Sequence, residues 1–327
     1  MDKFIKNILV NFIKWIRVFI KLKKLDIFFS KLLSIKFKKN RLEITTTIGC
    51  AMMCDYCPQT LIKSTLNNND TSKDQKIMNY ENFKLYFDNI SNKTVIHWSG
   101  YSEPLGNKDF VKFVNYLEKK NYEQHISTTM FGRRETEEFM ASTKAFKSVT
   151  FHLPDSSNLM KLAVSDVYLK NLEDTLRFQS KRLSKKAIYI VVFGKNFHPK
   201  VEALISKLIV ELIISKNSVD IRDHLHSRNG DVVDMNDFRM DKTNLEEQNN
   251  KENKRLYYCS YGRLDQGVLL PNGDVNLCCQ DYSLNGIIGN LKKENLKKIY
   301  KQKKIYQKGF AYGQYSLCKK CEYYSYI

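Results

Sequence analysis

The stretch LEITTTIGCAMMCDYC, residues 42–57, contains a predicted first strand and, directly after it, Cys50, Cys54 and Cys57. Three thiolates this close together can bind three irons of a [4Fe–4S] cluster, which leaves the fourth iron open to another ligand. A tetrahedral zinc site would need a fourth Cys or His nearby, and the next histidine is His97. The spacing therefore favours an iron–sulfur loop, and a structural zinc loop is the alternative.

Alternating strand and helix patterns follow this loop. Strands are predicted at 42–47, 94–99, 124–129, 147–152, 187–193 and 218–222, with helices at 80–91, 107–120, 134–144, 166–181 and 199–214. This alternation predicts an α/β fold with a parallel sheet and right-handed crossovers. Six units are too few for a closed eight-stranded barrel, so we expect a partial (β/α)6 barrel of the TIM type, with its site at the C-terminal strand ends. The polar tract 64–76 is predicted to be a loop.

The cysteine loop and the motif WSGYSEP, residues 98–104, resemble those of radical S-adenosylmethionine (SAM) enzymes, and the resemblance runs from about residue 42 to 222. It implies a SAM-binding [4Fe–4S] cluster on Cys50, Cys54 and Cys57. One electron then cleaves SAM to methionine and a 5′-deoxyadenosyl radical, which abstracts hydrogen from a C–H bond. Tyr56 matches the family's aromatic residue near the adenine.

The WSGYSEP motif implies further SAM contacts. Gly100 matches the family's first glycine and Glu103 its acid, which would accept hydrogen bonds from the SAM amino group. Tyr101 and Ser102 depart from the family's small glycine, so the backbone detail differs here. At the strand ends, Ser102, Thr128 and His152 are candidate cofactor contacts. Arg222 and His224 are candidate catalytic groups that suit an anionic substrate or a proton acceptor, with a solvated loop as the alternative.

A second cysteine group lies near the C-terminus. The segment VLLPNGDVNLCC, residues 268–279, predicts a hairpin, because two apolar runs flank a Pro-Asn-Gly-Asp turn. Four cysteines here could form a zinc ribbon. The opening C-x13-G-x4-C instead resembles the SPASM or twitch domains of radical SAM enzymes. That resemblance implies one auxiliary [4Fe–4S] cluster on Cys259, Cys278, Cys318 and Cys321. Three roles are open for Cys279: it packs as a small apolar residue, it replaces Cys278 as a ligand, or it donates a hydrogen atom. Packing is favoured.

The N-terminus is strongly basic. The chain has 327 residues and a net charge of +19, of which residues 1–41 supply +10 from twelve bases and two acids. Apolar residues recur there at mostly helical intervals, but charges interrupt every window of spanning length. The segment is either an amphipathic helix on an anionic membrane or a helical extension packed on the main domain. The same charges exclude a secretory signal, so we expect a cytoplasmic protein, with association at the inner membrane face left open.

These features divide the chain into four predicted parts. They are a basic extension (1–40), a radical SAM partial barrel (41–228), a polar linker or insertion (229–257) and an auxiliary-cluster domain (258–327). The pair of clusters implies net oxidation of a substrate, with the auxiliary cluster as electron acceptor and flavodoxin or ferredoxin as reductant. A small carbohydrate-like substrate, lipid- or nucleotide-linked, is favoured. Peptide modification is the alternative, and RNA modification is disfavoured because more than half of the excess charge lies in the N-terminal segment.

Overall fold

The structure, a computed structural model, describes residues 8–14, 23–33, 40–68, 73–225, 239–240, 256–260, 266–312, 318, 321 and 323–326. Most of the predicted linker 229–257 therefore lies outside the described residues. The domain boundaries stay predictions.

The strands are β1 (Arg41–Ile44), β2 (Val95–Trp98), β3 (Gln124–Thr128), β4 (Phe146–His152), β5 (Ile188–Phe193), β6 (Val219–Arg222), β7 (His224–Leu225), β8 (Arg239–Met240), β9 (Tyr257–Cys259), β10 (Gln266–Leu269), β11 (Asp274–Asn276), β12 (Ile287–Asn290) and β13 (Tyr324–Tyr326). The helices are α1 (8–14), α2 (Lys23–Leu33), α3 (Gln59–Asn68), α4 (Lys73–Lys76), α5 (Tyr80–Phe87), α6 (Phe110–Lys119), α7 (Arg134–Met140), α8 (Asp166–Arg182), α9 (Pro199–Val210) and α10 (Leu296–Ala311).

One sheet of nine strands organises the described chain, in the order β12-β11-β10-β1-β2-β3-β4-β5-β6. Strands β1 to β6 are parallel neighbours, which confirms the predicted six-unit partial barrel. The predicted C-terminal hairpin is also present as β10 and β11. It is not separate from the barrel, because β10 pairs in parallel with β1, with Val268 opposite Glu43.

The two faces of this sheet differ in chemistry because successive side chains of a strand point to opposite sides. One face packs under the helices and is apolar, and its fully buried members include Leu42, Ile44, Ile96, Trp98, Ile126, Phe151 and Ile190. The alternate positions carry Glu43, His97, Ser127 and Thr150, which line a cavity. The barrel therefore has a dry outer layer and a polar interior.

The predicted loop at 64–76 is wrong in its first part, because α3 continues through Asn68. Ile62 and Leu66 lie one helical turn apart, are 0% and 5% exposed, and pack with Ile48 and Tyr101. Residues 73–76 form a further helical turn. Two apolar residues in a polar tract are enough to fix this helix once a neighbouring surface is available.

Helices α1 and α2 pack on the C-terminal part of the chain. Ile13 and Leu33 are 0% and 1% exposed and share a cluster with Leu256 and Ala311. One face of the N-terminal segment therefore packs on the rest of the chain, as one of the two interpretations from the sequence expects. Its outer face exposes the large apolar residues Ile8, Phe12, Phe28 and Leu32. None of the described helices is long and apolar enough to cross a bilayer.

Candidate functional site

A cavity of about 370 Å³ opens at the C-terminal ends of the barrel strands. Its lining brings together every barrel candidate from the sequence except His224: Cys50, Cys54, Tyr56, Cys57, Gly100, Ser102, Glu103, Thr128, His152 and Arg222. A larger open groove of about 970 Å³ lies beside Asn40, Asp88 and Asn295, before β1 and β2 begin, and its described lining holds no cysteine. The cavity is the candidate site, because parallel sheets place chemistry at the carboxyl ends of their strands.

The cysteine loop is held by hydrogen bonds that converge on its sulfur atoms. The Gln59 side chain accepts from the Cys50 amide (3.2 Å) and donates to the Cys57 sulfur (3.5 Å). The Glu103 amide donates to the Cys50 sulfur (3.4 Å). N–H donors aimed at sulfur stabilise a thiolate, and they orient and tune metal ligands. The sequence offered no signal for Gln59, because its role depends on where α3 starts.

Burial raises the pKa of the Cys50 thiol, and it raises the pKa of Cys54 to about 12. The charge of Cys57 adds to the increase in both cases, and all three cysteines line the same cavity. Buried thiols of this kind lose their protons when a cation binds them, because the metal charge reverses the local preference. The donor set of three soft sulfur ligands fits an iron–sulfur cluster.

The turn after β2 brings its backbone close to β1. Gly100 has φ +77°, and a Cβ there would lie 2.2 Å from the Thr45 hydroxyl oxygen. That hydroxyl accepts a hydrogen bond from the Tyr101 amide at 3.0 Å. Only glycine fits both the left-handed backbone and this close approach. Backbone conformation and close packing therefore explain why a glycine occupies position 100.

Glu103 ties the ends of β2 and β3 together. Its Oε1 accepts from the Thr128 hydroxyl (2.7 Å) and the Leu105 amide (3.2 Å), and its Oε2 accepts from the Thr129 amide (2.6 Å) and hydroxyl (2.7 Å). Burial raises the pKa of Glu103, and these hydrogen bonds oppose the increase. Thr128, a predicted cofactor contact, lines the cavity, and its hydroxyl donates to Glu103 and accepts from the Met130 amide.

The Ser102 hydroxyl oxygen is buried in the cavity wall and has no hydrogen-bond partner among the described residues. A buried hydroxyl without a partner is costly unless a ligand completes its hydrogen bonds. Together with the cysteine donor set, this orphaned group shows that the cavity fits a polar cofactor such as SAM.

Phe193, at the end of β5, is an aromatic residue that the sequence analysis missed. The Tyr56 ring packs against it at 5.3 Å, and the His152 ring stacks on it at 5.6 Å with an interplanar angle of 10°. The Arg222 guanidinium lies 5.5 Å from the same ring and pairs with Asp220 at 2.7 Å. Phe193 thus connects three of the predicted residues. The backbone of His224 lies in β7, just past this group, and its side chain is not described.

The interior below the cysteine loop is polar. The Ser99 hydroxyl donates to the Glu43 carboxylate at 3.3 Å, and Glu43 is only 6% exposed. The His97 ring nitrogen Nε2 and the Ser127 hydroxyl lie 3.0 Å apart. These groups come from β1, β2 and β3, and no short motif in the sequence joins them. They form a surface of hydroxyl, imidazole and carboxylate groups.

The second group of cysteines also comes together. Burial raises the pKa of Cys318, and the charges of Cys259 and Cys321 contribute to the increase. A hydrogen bond with Cys279 and burial raise the pKa of Cys278, and the charge of Cys321 adds to the increase. Cys259, Cys318 and Cys321 pack against one apolar cluster of Tyr257, Phe310 and Tyr324, and Cys278 is within electrostatic reach of Cys321. Among the described residues, no group of three or more Cys, His, Asp or Glu side chains has metal-binding geometry by itself.

Cys279 and Asp281 have distinct places beside this group. Cys279 packs against the apolar cluster of Ile48 and Tyr101 and also lines the cavity. The Asp281 carboxylate accepts hydrogen bonds from the Asn285 amide (3.2 Å) and the Gly286 amide (2.7 Å). Asp281 therefore shapes the turn after β11.

Comparison with solved structures gives three relatives of low sequence identity. BtrN in complex with AdoMet and 2-DOIA has 16% identity and a TM-score of 0.48, over 88% of this chain and 94% of BtrN. Streptococcus suis SuiB bound to precursor peptide SuiA has 12% identity and a TM-score of 0.47, over 85% and 68%. Native anSMEcpe with bound AdoMet has 16% identity and a TM-score of 0.43, over 86% and 88%. A comparison with curated protein sequences gives no match.

A family profile provides the direct assignment for the C-terminal part. Residues 259–322 match SPASM, described as an iron–sulfur cluster-binding domain. The matched range includes Cys259, Cys278, Cys318 and Cys321, and it confirms the predicted auxiliary iron–sulfur domain. Residues 259–322 are therefore a SPASM iron–sulfur cluster-binding domain, and the chain joins this domain to a partial barrel whose first strand leads into the three-cysteine loop.

Proposed function

We propose that the chain is a radical SAM enzyme and that it oxidises a small, carbohydrate-like substrate by radical chemistry. A [4Fe–4S] cluster held by Cys50, Cys54 and Cys57 supplies, when bound, the electron that cleaves SAM to methionine and a 5′-deoxyadenosyl radical. The side chains around it bind and orient SAM. Glu103 accepts a hydrogen bond from the SAM amino group. The buried Ser102 hydroxyl forms a hydrogen bond with SAM as well.

The observation that carries the substrate proposal is the polar interior of the barrel. Glu43, Ser99, His97, Ser127 and Thr150 project from adjacent strands into the cavity. Such a surface matches a ligand with many hydroxyl or amino groups, because carboxylate, hydroxyl and imidazole groups keep capacity for additional hydrogen bonds after they pair with one another. A peptide substrate would instead require an extended groove with side-chain pockets. The two substrate classes therefore make different demands on this interior.

The proposed reaction is net dehydrogenation of a hydroxyl-bearing carbon. The deoxyadenosyl radical removes one hydrogen atom from that carbon. The hydroxyl then loses its proton and the carbon radical loses one electron, which leaves a ketone. His97 and His152 line the cavity and are able to take the proton, whereas Arg222 suits an anionic group on the substrate. The auxiliary cluster of the SPASM domain, when bound, would supply the acceptor for this electron.

Two partners complete the proposal. Reduction of the SAM-site cluster needs a low-potential donor such as flavodoxin or ferredoxin, in the cytoplasm. The N-terminal segment adds contact with the inner membrane face, because its net charge of +10 accompanies the exposed residues Phe12 and Phe28. A lipid-linked carbohydrate would be presented at such a surface.

The first test is the iron content after anaerobic reconstitution. Seven ligand cysteines in sets of three and four predict about eight irons per chain, and the variant with Cys50, Cys54 and Cys57 changed to Ala should keep about four. A wild-type protein with zinc and about four irons would contradict the auxiliary [4Fe–4S] assignment.

The second test separates the substrate classes. With SAM and dithionite, an aminocyclitol or nucleotide sugar is expected to give a product two mass units lighter, and a peptide is not. The variant Ser99→Ala should bind SAM normally and lose substrate turnover. If only peptides gave a product, the enzyme would be a peptide-modifying enzyme.

A further inference from the structure

A short loop connects the two cluster sites. Its first residue, Cys278, is an auxiliary-cluster ligand within electrostatic reach of Cys321. Its last residue, Tyr282, is 4% exposed, and its hydroxyl lies 3.6 Å from the Cys57 sulfur. Between them, Cys279 and Gln280 line the SAM cavity. Five consecutive residues of the SPASM domain thus reach from one set of ligands to the other.

The loop is held in place by Tyr101, which belongs to the SAM-binding turn. The Tyr101 hydroxyl accepts a hydrogen bond from the Asn276 amide group at 2.8 Å. Its own proton is shared between the carbonyl oxygens of Cys278 (2.8 Å) and Asp281 (2.9 Å). The Tyr101 ring also meets the Tyr282 ring edge-on, with centroids 4.7 Å apart. Tyr101 is 1% exposed, so these contacts are screened from water.

This arrangement explains the departure from glycine at position 101. Gly100 and Ser102 flank Tyr101, and both line the cavity that receives SAM. A glycine at position 101 would have no side chain to reach the SPASM loop. The tyrosine turns a cofactor-binding turn into a contact between the barrel and the auxiliary domain.

The hydrogen bond at Cys57 has a defined direction when iron is bound. A cysteine that ligates iron is a thiolate and has no proton, so the Tyr282 hydroxyl must donate. Hydrogen bonds to cluster sulfur atoms are among the factors that set a cluster's reduction potential. A donor stabilises the reduced form more, because that form carries more negative charge on its sulfur atoms. Loss of the donor should therefore make the cluster harder to reduce.

We propose that Tyr282 is a positioning residue that donates a hydrogen bond to the Cys57 ligand and raises the reduction potential of the SAM-site cluster, and that Tyr101 holds the loop in register for this contact. The inference rests on the assignment of Cys57 as a ligand. It gives the SPASM domain a second task, since its loop adjusts the cluster that reduces SAM.

The test is a redox titration followed by electron paramagnetic resonance, in which added SAM identifies the signal of the SAM-site cluster. Tyr282→Phe should shift the midpoint potential of that cluster to more negative values. A three- to tenfold change in the one-electron equilibrium corresponds to about 30–60 mV. Tyr86→Phe is the matched control, because Tyr86 is fully buried and donates to the Pro271 carbonyl, which belongs to neither cysteine group. An unchanged potential in Tyr282→Phe, or an equal shift in Tyr86→Phe, would overturn the proposal.

A measurement on the wild-type protein covers the case in which Tyr282→Phe does not load iron. Electron–nuclear double resonance in D₂O should detect an exchangeable deuteron coupled to the SAM-site cluster, and absence of that coupling would refute the hydrogen bond. The variant Cys57→Ala tests the underlying assignment separately. If it keeps about eight irons, Cys57 is not a ligand. If it loses about four while Tyr282→Phe leaves the potential unchanged, the assignment stands and the coupling fails.

Discussion

The variant Glu103→Gln tests the proposed SAM-binding turn, and the structure predicts two separate effects. Each carboxylate oxygen of Glu103 faces one backbone N–H, from Leu105 or from Thr129. The amide nitrogen of glutamine must replace one of these oxygens, whichever way the side chain turns. The Thr128 and Thr129 hydroxyls can rotate to accept, but a backbone N–H cannot. One buried donor therefore loses its partner, at a cost of about 1–3 kcal/mol in folding free energy.

The second effect is on SAM. Loss of an anionic acceptor for the SAM amino group should weaken binding by about 1.5–3 kcal/mol, which is roughly a 10- to 150-fold higher Kd. The iron content should stay at the wild-type value, since Glu103 contacts the Cys50 sulfur only through its backbone N–H.

Anaerobic calorimetry with reconstituted protein measures the SAM affinity, and amide hydrogen exchange at Leu105 and Thr129 measures the local stability. Glu137→Gln is the matched control. Its oxygens accept from the Gly132 amide (2.9 Å) and the Asn171 side chain (2.8 Å), and the Asn171 amide can turn to accept instead. Glu137 does not line the cavity, so its variant should bind SAM normally. Equal SAM affinity in Glu103→Gln and wild type, at equal iron content, would refute the assigned role.

Three other predictions follow from the same structure. Gly100→Ala should lower the free energy of unfolding by about 2–5 kcal/mol in denaturant titration, because the strain of a left-handed backbone adds to a steric clash. In the control variant Gly106→Ala the added Cβ meets no atom within 4 Å, so its free energy of unfolding should stay within about 1 kcal/mol of wild type. Burial lowers the pKa of His125 from 6.5, so the native state binds fewer protons than the unfolded chain just below that pH. Thermal stability should therefore decline as pH falls from 6.5 towards the lowered pKa, and the decline should be smaller in His125→Asn. Equal slopes of melting temperature against pH in the variant and the wild type would contradict this prediction. The full chain should sediment with anionic vesicles and be released by salt, and Phe12→Ser with Phe28→Ser should weaken sedimentation at constant iron content; no sedimentation of the full chain would end the membrane proposal.

The structure also changes the expected outcome of removing the whole N-terminal segment. From the sequence alone, a core that begins at Arg41 should keep its clusters after deletion of residues 2–38. In the structure, Ile13 and Leu33 cover Leu256 and Ala311, so the deletion would uncover an apolar surface beside the auxiliary domain. Point changes on the exposed face separate membrane contact from this packing.

Local pattern was sufficient to predict the six parallel strands, because their alternation repeats within short windows. The first strand is shorter than predicted and ends at Ile44, since Thr45 and Thr46 use their polar groups to hold the Tyr101 and Met78 amides. The pairing of β10 with β1 was not predictable from periodicity, because it joins residues more than 200 positions apart.

In the site, too, local motifs were predictable from the sequence and contacts between distant elements were not. Cys50 was predicted from the spacing of its cysteine loop, and Glu103 from the resemblance of its motif to that of radical SAM enzymes. Phe193, Gln59 and Tyr282 were missed because each acquires its role only when separate elements meet. The polar interior is an intermediate case. Its members alternate with apolar residues along each strand, but which side of the strand faces the cavity depends on the packing of the helices.

The position of β10 also bears on how the protein is made. Strand β1 leaves the ribosome early, but its neighbour on one side, β10, is synthesised more than 200 residues later. Until then β1 has an open edge, which is a known route to aggregation. Closing a loop of this length costs about 5 kcal/mol in chain entropy, so the pairing should form late in folding. The cysteine loop begins a few residues after β1, and it gains its contact with Tyr282 only when this segment arrives. Iron insertion at the SAM site should therefore reach completion only after nearly the whole chain has been synthesised.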